Sequence, residues 1–467
     1  MSYTTLRRIY EGLPPLLKSP IRFVPFHILA GKSYSETIRR GRFLDRANRG
    51  EMRAYQEEAL EKILSFACDQ IPAYRHLRSV VARFRPFDAL QEFPLLDKET
   101  LQSDMSGYLP RDFDRIPHHE CSTGGTSGNQ LRFFLDDQSQ SIEMAFMHLQ
   151  WARVGYTPGC RKATFRGVEF RSVSDRIYWQ PNPVYNELQF SPFHMNEATL
   201  DRYLHKLGQY RPRFIHGYPS AISLLADFIT RNRLKTGIRL QLDAVLLASE
   251  GILPGQRELI EEAFSTRVYS WYGHSERVVL AGECEKSPAY HHFPDYGILE
   301  IIDDNGNVLQ KEGEPGEIVG TGLINRSLPL IRYRTGDKAR MLGHECACGR
   351  SFDRFDQVEG RWRQEFVIGK TGSRISLAAL NMHGPLFDHI VRYQYYQKRA
   401  GELQLRVMVS SGFTALEKKA LQEAYARKTG SELSVEVKTV EDIPLTSRGK
   451  LRRLVQNLQT GPSFSEI

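Results

Sequence analysis

The middle of the chain reads as short apolar runs, each stopped by a polar turn that contains glycine. Phe214-Ile215-His216 ends in Gly217-Tyr218-Pro219-Ser220, and a helix is expected from Ala221. Ala244-Val245-Leu246-Leu247-Ala248 ends in Ser249-Glu250-Gly251, with a helix from Pro254. Val268-Tyr269-Ser270-Trp271 ends in Tyr272-Gly273-His274-Ser275-Glu276. Strands alternating with helices predict a largely parallel sheet. In such sheets ligands sit beyond the carboxyl ends of the strands, where all three polar turns fall.

The flanks differ. Residues 1–55 carry Pro14, Pro15, Pro20 and Pro25 among short apolar runs and read as an irregular preface. Glu51 to Phe66 has apolar residues at helical spacing, as does Ser141 to Val154. Pro94-Leu95-Leu96-Asp97-Lys98 reads as a turn entering a helix, and Leu131-Arg132-Phe133-Phe134-Leu135 as a strand. Strand-like stretches at Gly297 to Asp303, Gly316 to Thr321 and Ile331 to Thr335 predict a β-rich subdomain. The chain restarts after Gly360-Arg361. Leu403, Leu405, Val407 and Val409 alternate as a half-buried strand, and Leu433, Val435 and Val437 alternate again. Between them Thr414 and Glu417 form a capping box before a helix that Gly430 ends. The expected fold is therefore α/β. A large N-terminal domain over 56–360 has mostly parallel sheets plus a β-rich subdomain, and a small α+β C-terminal domain covers 361–467.

Composition narrows this picture little. A chain of 467 residues with 41% hydrophobic and 11% aromatic residues is globular, with room for two or three domains. No apolar run reaches membrane-spanning length and no signal peptide opens the chain, so a cytoplasmic protein is expected. The net charge is +8, with much of the excess early, at Arg7, Arg8, Arg39, Arg40, Arg42, Arg46 and their neighbours. A solvated face is the plain reading. Peripheral association with anionic lipid stays open, a nucleic-acid partner is not expected, and monomer and homodimer are equally open. Cys68, Cys121 and Cys160 are isolated, and disulfides are not expected.

Candidate chemistry begins at Ser122-Thr123-Gly124-Gly125-Thr126-Ser127-Gly128, a loop of glycine and hydroxyl residues only. Its backbone N–H groups can approach an anion closely, and its hydroxyls add donors. No lysine follows the last glycine, so it is not a Walker A loop. Three further motifs follow in order: Tyr272-Gly273-His274-Ser275-Glu276, Tyr333-Arg334-Thr335-Gly336-Asp337 and Pro444-Leu445-Thr446-Ser447-Arg448-Gly449-Lys450.

This order and spacing resemble the adenylate-forming superfamily of acyl-CoA ligases, luciferases and peptide-synthetase adenylation domains. The likeness is nearest to phenylacetate–CoA ligases and their CapK-like relatives from capsular polysaccharide clusters. His216-Gly217-Tyr218-Pro219-Ser220, Ser249-Glu250, Gly282-Glu283-Cys284-Glu285 and Cys346-Ala347-Cys348-Gly349-Arg350 are similar to that subgroup. The resemblance implies an AMP-forming acyl-adenylating enzyme that uses Mg-ATP, a carboxylic acid and an acceptor, most simply coenzyme A. It implies that Ser122 to Gly128 hold the β- and γ-phosphates. Tyr272 would lie along the adenine face with Gly273 and Ser275 beside the nucleotide, and Ser249 and Glu250 would meet the adenine edge. Glu276 would bind Mg2+, Asp337 and Arg361 the ribose, and His216 and Tyr218 the acid. Lys450 would bridge the acyl carboxylate and the α-phosphate from a mobile C-terminal domain hinged near Gly360–Arg363. Two departures stand out: Gln130 where the family loop has proline, and Arg363 at the usual hinge residue. Cys284, His291, Cys346 and Cys348 have the Cys3His composition of structural Zn2+, with His292 and His344 as alternative ligands. The rival enzyme reading is direct transfer to an amine or hydroxyl of a sugar or polysaccharide precursor. The rival of another class is a non-catalytic nucleotide-binding scaffold.

Overall fold

The computed structural model describes residues 10, 12–13, 18–123, 131–167, 177–232, 240–309, 311–356, 358, 365–382, 384–444 and 452–458. Gly124 to Gly128, Gln130, Arg361, Arg363 and Lys450 lie outside these residues, as does the expected boundary at 360/361.

Part of the expected preface is a helix. Helix α1 (Phe26–Leu44) buries Ala30, Tyr34, Thr37, Gly41 and Leu44, spaced by three or four. The reading of 1–55 as irregular is corrected here: Pro25 sits at the N-cap, where proline's fixed φ does no harm. Gly31 breaks the helix with φ +83, which disguised the period. Gly41 packs so closely on Leu149 that a Cβ there would lie 2.2 Å from its Cδ1. Helix α2 (Arg49–Gln70) starts earlier and ends later than expected, at an Asn48–Glu51 capping box.

A hairpin follows, β1 (His118–Ser122) with β2 (Arg132–Asp136), and then α3 (Ser139–Ala152). The main sheet is built from β3 (Lys162–Phe165), β4 (Trp179–Asn182), β5 (Glu187–Phe190), β6 (Phe214–Gly217), β7 (Ala244–Leu247), β8 (Val268–Gly273), β9 (Leu280–Gly282) and β10 (Tyr290–His292). β11 (Gly297–Ile302), β12 (Pro315–Gly322) and β13 (Tyr333–Arg340) form an antiparallel three-stranded sheet, the β-rich part read from the sequence. β14 (Arg354–Phe355) returns to the main sheet. Its order is β14-β10-β9-β8-β7-β6-β3-β5-β4. The five strands from β5 to β8 run parallel, and the four flanking strands are antiparallel. Alternate residues face opposite ways. Ile215, Val245 and Leu247 join helices α4 (Leu200–Tyr210), α5 (Pro219–Arg231) and α6 (Gln256–Phe264) on one face. Phe214, Ala244 and Leu246 join α3 on the other.

The last segment has a hairpin, β15 (Phe366–Ile368) with β16 (Arg374–Ser376), and a four-stranded sheet around helix α7 (Ala415–Thr429). The sheet strands are β17 (Ile390–Arg399), β18 (Glu402–Val409), β19 (Ser434–Thr439) and β20 (Leu454–Gln456), in the order β19-β18-β17-β20. Leu403, Leu405 and Val407 point inward, and Thr414–Glu417 caps α7 in both directions. Buried residues of this segment are continuous with the α4–α6 face of the main sheet, from Ala163 through Leu454. Asn196 Nδ2 donates to Thr371 Oγ1 at 2.6 Å, and Arg132 pairs with Asp388 at 2.7 Å, across the same junction. The chain is an α/β protein with a large N-terminal part and a smaller α+β C-terminal part.

Candidate active site

The second motif begins as strand and ends as turn. β8 is pinned between β7 and β9, so Tyr272 faces the cluster of Leu131, Phe133 and Tyr333, and Trp271 faces α3. The turn after Gly273 brings Glu276 back under β13. Its Oε1 accepts from Tyr333 Oη at 3.0 Å, and its Oε2 lies 3.3 Å from His274 Nδ1. Burial pulls this carboxyl up, but the hydrogen bonds from His274 and Tyr333 outweigh it and hold it below its ordinary value. Glu276 is therefore an ionised carboxylate, only 14% exposed, with oxygen to offer a hard cation.

The third motif lies on an irregular stretch of β13. Glu317 pairs with Lys338 but Val319 with Arg334, so Thr335, Gly336 and Asp337 stand opposite Ile318 alone. Gly336 takes φ +71 there, a conformation that suits glycine. Thr335 Oγ1 donates to the Ile318 carbonyl at 2.8 Å. The result aims Asp337 at Tyr272, whose hydroxyl donates to Asp337 Oδ2 at 3.0 Å. Burial, then the Asp337 charge, push the Tyr272 phenol well above its usual value, so it stays a donor. Tyr272→Phe is expected to lower the stability of the ligand-free protein by about 1.5–3 kcal/mol, because Asp337 loses a donor. Urea melts of the two proteins check this, and equal midpoints and slopes would refute it.

The glycine-rich loop leaves from the hairpin tip. Thr123 closes its base, donating its N–H to the Leu131 carbonyl at 2.9 Å and accepting from Leu131 N at Oγ1 at 3.0 Å. Ser122 Oγ accepts from Gly384 N at 3.4 Å, so the loop base touches the C-terminal part. Leu131, Phe133 and Leu135 of β2 share one buried cluster with Tyr272 and Tyr333. Ser122, Thr123, Tyr272, Glu276 and Asp337, spread over more than two hundred residues, are thus gathered around one small core. Gly273 and Ser275 are exposed at its rim.

A second group lies further along the strand ends. Ser249 takes φ +67, which turns its hydroxyl to accept from Arg166 Nη2 at 3.0 Å. Glu250 Oε2 accepts from Ser220 N at 3.1 Å, while Oε1 is buried with no hydrogen-bond partner. Burial raises this carboxyl above its ordinary value. His216 is 4% exposed, with Nδ1 2.9 Å from the Leu246 carbonyl oxygen, and its ring stacks on Trp271 at 5.3 Å. Tyr218 is buried, and its Oη accepts from Gly167 N at 3.3 Å. The sequence reading missed Arg166. The signal was present, since Ala163-Thr164-Phe165 before Arg166-Gly167 repeats the pattern of an apolar run ending in a glycine turn.

Cys284, His291, Cys346 and Cys348 place four ligand atoms within 4.8 Å of one another. Cys284 Sγ and Cys346 Sγ are 3.8 Å apart, and Cys348 Sγ is 3.5 Å from His291 Nε2. Tetrahedral Zn2+ with ordinary Zn–S and Zn–N lengths requires edges of ~3.8 Å and ~3.6 Å. His291 Nδ1 donates to the Ala289 carbonyl at 3.1 Å, which leaves Nε2 as the ligand atom. His292 is not in the set, because its two ring nitrogens face the Leu280 and Gly297 carbonyls at 3.2 and 2.8 Å. His344 is exposed and outside the set.

Comparison with known proteins agrees with this architecture. Residues 367–457 match the family model described as CapK C-terminal domain. A phenylacetate–coenzyme A ligase of Thermus thermophilus is 24% identical over 455 residues, covering 88% of this chain and 98% of that protein. Protein CapK of Staphylococcus aureus is 21% identical over 254 residues, 54% of each chain. Among solved structures, 2-hydroxyisobutyryl-CoA ligase in its postadenylation state superposes with a TM-score of 0.53 at 20% identity, over 88% of this chain and 91% of that one. Residues 367–457 are thus similar to the CapK C-terminal domain, the chain is similar to phenylacetate–coenzyme A ligases and to CapK, and its fold is that of 2-hydroxyisobutyryl-CoA ligase.

Proposed function

We propose that this chain is an AMP-forming acyl-adenylating ligase. The observation that carries the reading is the convergence of Tyr272, Glu276, Tyr333 and Asp337 beside the base of the glycine-rich loop. A carboxylate oxygen of the acid attacks the α-phosphorus of ATP, the bond to the β-phosphate oxygen breaks, and pyrophosphate leaves. A nucleophile then attacks the acyl carbonyl, loses its proton and releases AMP. Glu276 is the carboxylate suited to hold Mg2+, which neutralises phosphate charge. Glu250 Oε1 offers a buried acceptor at the adenine edge, Asp337 and Arg361 serve the ribose, and Ser122 to Gly128 hold the outer phosphates. Coenzyme A is the favoured acceptor, because the matched ligase from Thermus is a coenzyme A ligase along nearly its whole length. The match of 367–457 to the CapK C-terminal domain favours a second reading, transfer to an amine or hydroxyl of a sugar precursor.

Zinc belongs to the same proposal as a structural ion. All four ligands come from the protein, which leaves no open position for a reacting group. It would fasten the loop before β14 to β9 and β10.

The reading is tested by ATP–pyrophosphate exchange with a panel of carboxylic acids. Exchange that depends on one class of acid is expected, and coenzyme A or an amine added afterwards identifies the acceptor through AMP release. Nucleotide binding without exchange for any acid would leave the scaffold and overturn the enzyme. No helix among the described residues is long and apolar enough to cross a membrane.

A further inference from the structure

The proposed chemistry leaves one cation of the crevice unused. Arg166 follows β3, the strand between β5 and β6, at its carboxyl end. The neighbouring strand ends supply its surroundings. Nη2 donates to Ser249 Oγ at 3.0 Å, and Nη1 lies 3.4 Å from His216 Nε2. The guanidinium carbon is 5.7 Å from the centre of the Tyr218 ring.

None of these partners is an anion. His216 donates from Nδ1 to the Leu246 carbonyl, so Nε2 carries the lone pair. Burial, followed by the charges of Arg166 and Lys162, keeps the ring neutral by holding its pKa well below the ordinary value. Among the described residues no carboxylate forms an ion pair with Arg166. A guanidinium has five N–H groups, and these contacts use two. A charge in a partly buried crevice with only neutral partners among the described residues favours an anion there.

Position tells which part of the ligand would supply it. β8, which carries the motif of Glu276, is separated from β3 by β7 and β6. At the usual strand spacing that is ~14 Å across the sheet. Under the acyl-adenylating reading the nucleotide lies over β8 and β7 and the acid over β6, so Arg166 is rooted beyond the acid, and its guanidinium reaches back over His216 to Ser249 at the end of β7. Gly167, next to it, packs so closely on the C-terminal part that a Cβ would meet the Ala379 carbonyl oxygen at 2.6 Å. The C-terminal part therefore closes over Gly167, while the guanidinium is part-buried at His216 and open to solvent at Ser249.

We propose that Arg166 is a cationic subsite for the acid, and that the substrate is a carboxylic acid bearing a second anionic oxygen group, in its simplest form a dicarboxylic acid. One carboxylate is activated, and the other takes the free N–H groups of Arg166. This rests on the acyl-adenylating reading for its geometry, but its test does not depend on turnover.

The experiment uses two pairs of acids that differ in one end, adipate with hexanoate and 4-carboxyphenylacetate with phenylacetate. Each is titrated by calorimetry into the full chain with a non-cleavable ATP analogue present, and each is assayed for ATP–pyrophosphate exchange. Wild type, Arg166→Met and Arg166→Lys are compared. The diacid of at least one pair is expected to bind wild type at least ~30-fold tighter than its partner, the size of a desolvated charge contact. Arg166→Met should abolish that preference and Arg166→Lys should restore part of it, which separates loss of charge from loss of fold. Equal binding within both pairs by wild type would overturn the subsite, as would a preference that survives in Arg166→Met. Exchange lowered equally for all acids in Arg166→Met, without any diacid preference, would assign the cation to the α-phosphate and overturn it too. Arg166-dependent diacid binding without exchange for any acid keeps the subsite and removes the adenylation reading.

Discussion

Replacing Lys450 with alanine is expected to cut acid-dependent pyrophosphate formation by about 10²–10³-fold, while acyl transfer from a supplied acyl-adenylate stays near the wild-type rate. The reason is electrostatic. When a carboxylate attacks the α-phosphate, negative charge gathers between two groups that already repel, and a lysine ammonium placed there opposes it only in that step. Lys450 lies outside the described residues. β20 starts four residues later and pairs in parallel with β17, with Tyr395 N donating to the Arg453 carbonyl at 2.8 Å. The same C-terminal part touches the base of the glycine-rich loop through Gly384 and Ser122. The split between the two assays is the informative result. A lysine used only for folding or general binding would lower both rates, and one in a surface loop would lower neither. If pyrophosphate formation survives the substitution, the proposed role of the C-terminal motif must be withdrawn.

The second large effect is expected from metal removal. Purified protein should carry about one Zn2+ per chain, and stripping it should cost stability far more than chemistry. Opening the cluster leaves three thiols and a histidine facing one another at the edge of the main sheet. A loss of ~3–5 kcal/mol corresponds to a fall of ~3–5 °C in melting temperature for a chain of this length. Chemistry is spared because of where the cluster lies. Gly282 pairs with Trp271 and Glu283 N donates to the Ser270 carbonyl, so Cys284 stands near the level of Tyr269. That is four residues before Gly273, or ~13 Å along β8 from the end that carries the Glu276 turn. Cys284→Ser should reproduce the loss of both metal and stability. Elemental analysis that finds no zinc in folded, active protein would sink the proposal, and so would chelation that stops exchange without moving the melting temperature.

Much of the fold was legible because its signals are local. A run such as Ala244 to Leu247 declares a buried strand by apolar residues alone, and its glycine-bearing turn marks the end. Thr414 with Glu417 declares the start of α7, because two orphan donors of a helix end are satisfied by residues three apart. Helix α1 escaped because prolines before it and Gly31 within it interrupt the same kind of signal. β4 and β5 escaped because Trp179-Gln180-Pro181-Asn182 and Glu187-Leu188-Gln189-Phe190 are short and only half apolar, and owe their place to pairing with each other and with β3.

The candidate site divides along the same line. Four motifs in order, with cysteines at 284, 346 and 348, supplied its candidate residues from the chain alone. Their contacts were not in the chain's local pattern. That Tyr272 meets Asp337, that Tyr333 holds Glu276, and that His291 rather than His292 completes the cysteine cluster follow from which strand lies beside which. Arg166 gained meaning only when β3 was found between β5 and β6, two strands from Ser249's own. Short-range backbone preference and burial period are written residue by residue. Strand order is set by the packing of the whole sheet against its helices, and so are the distances between residues far apart in sequence.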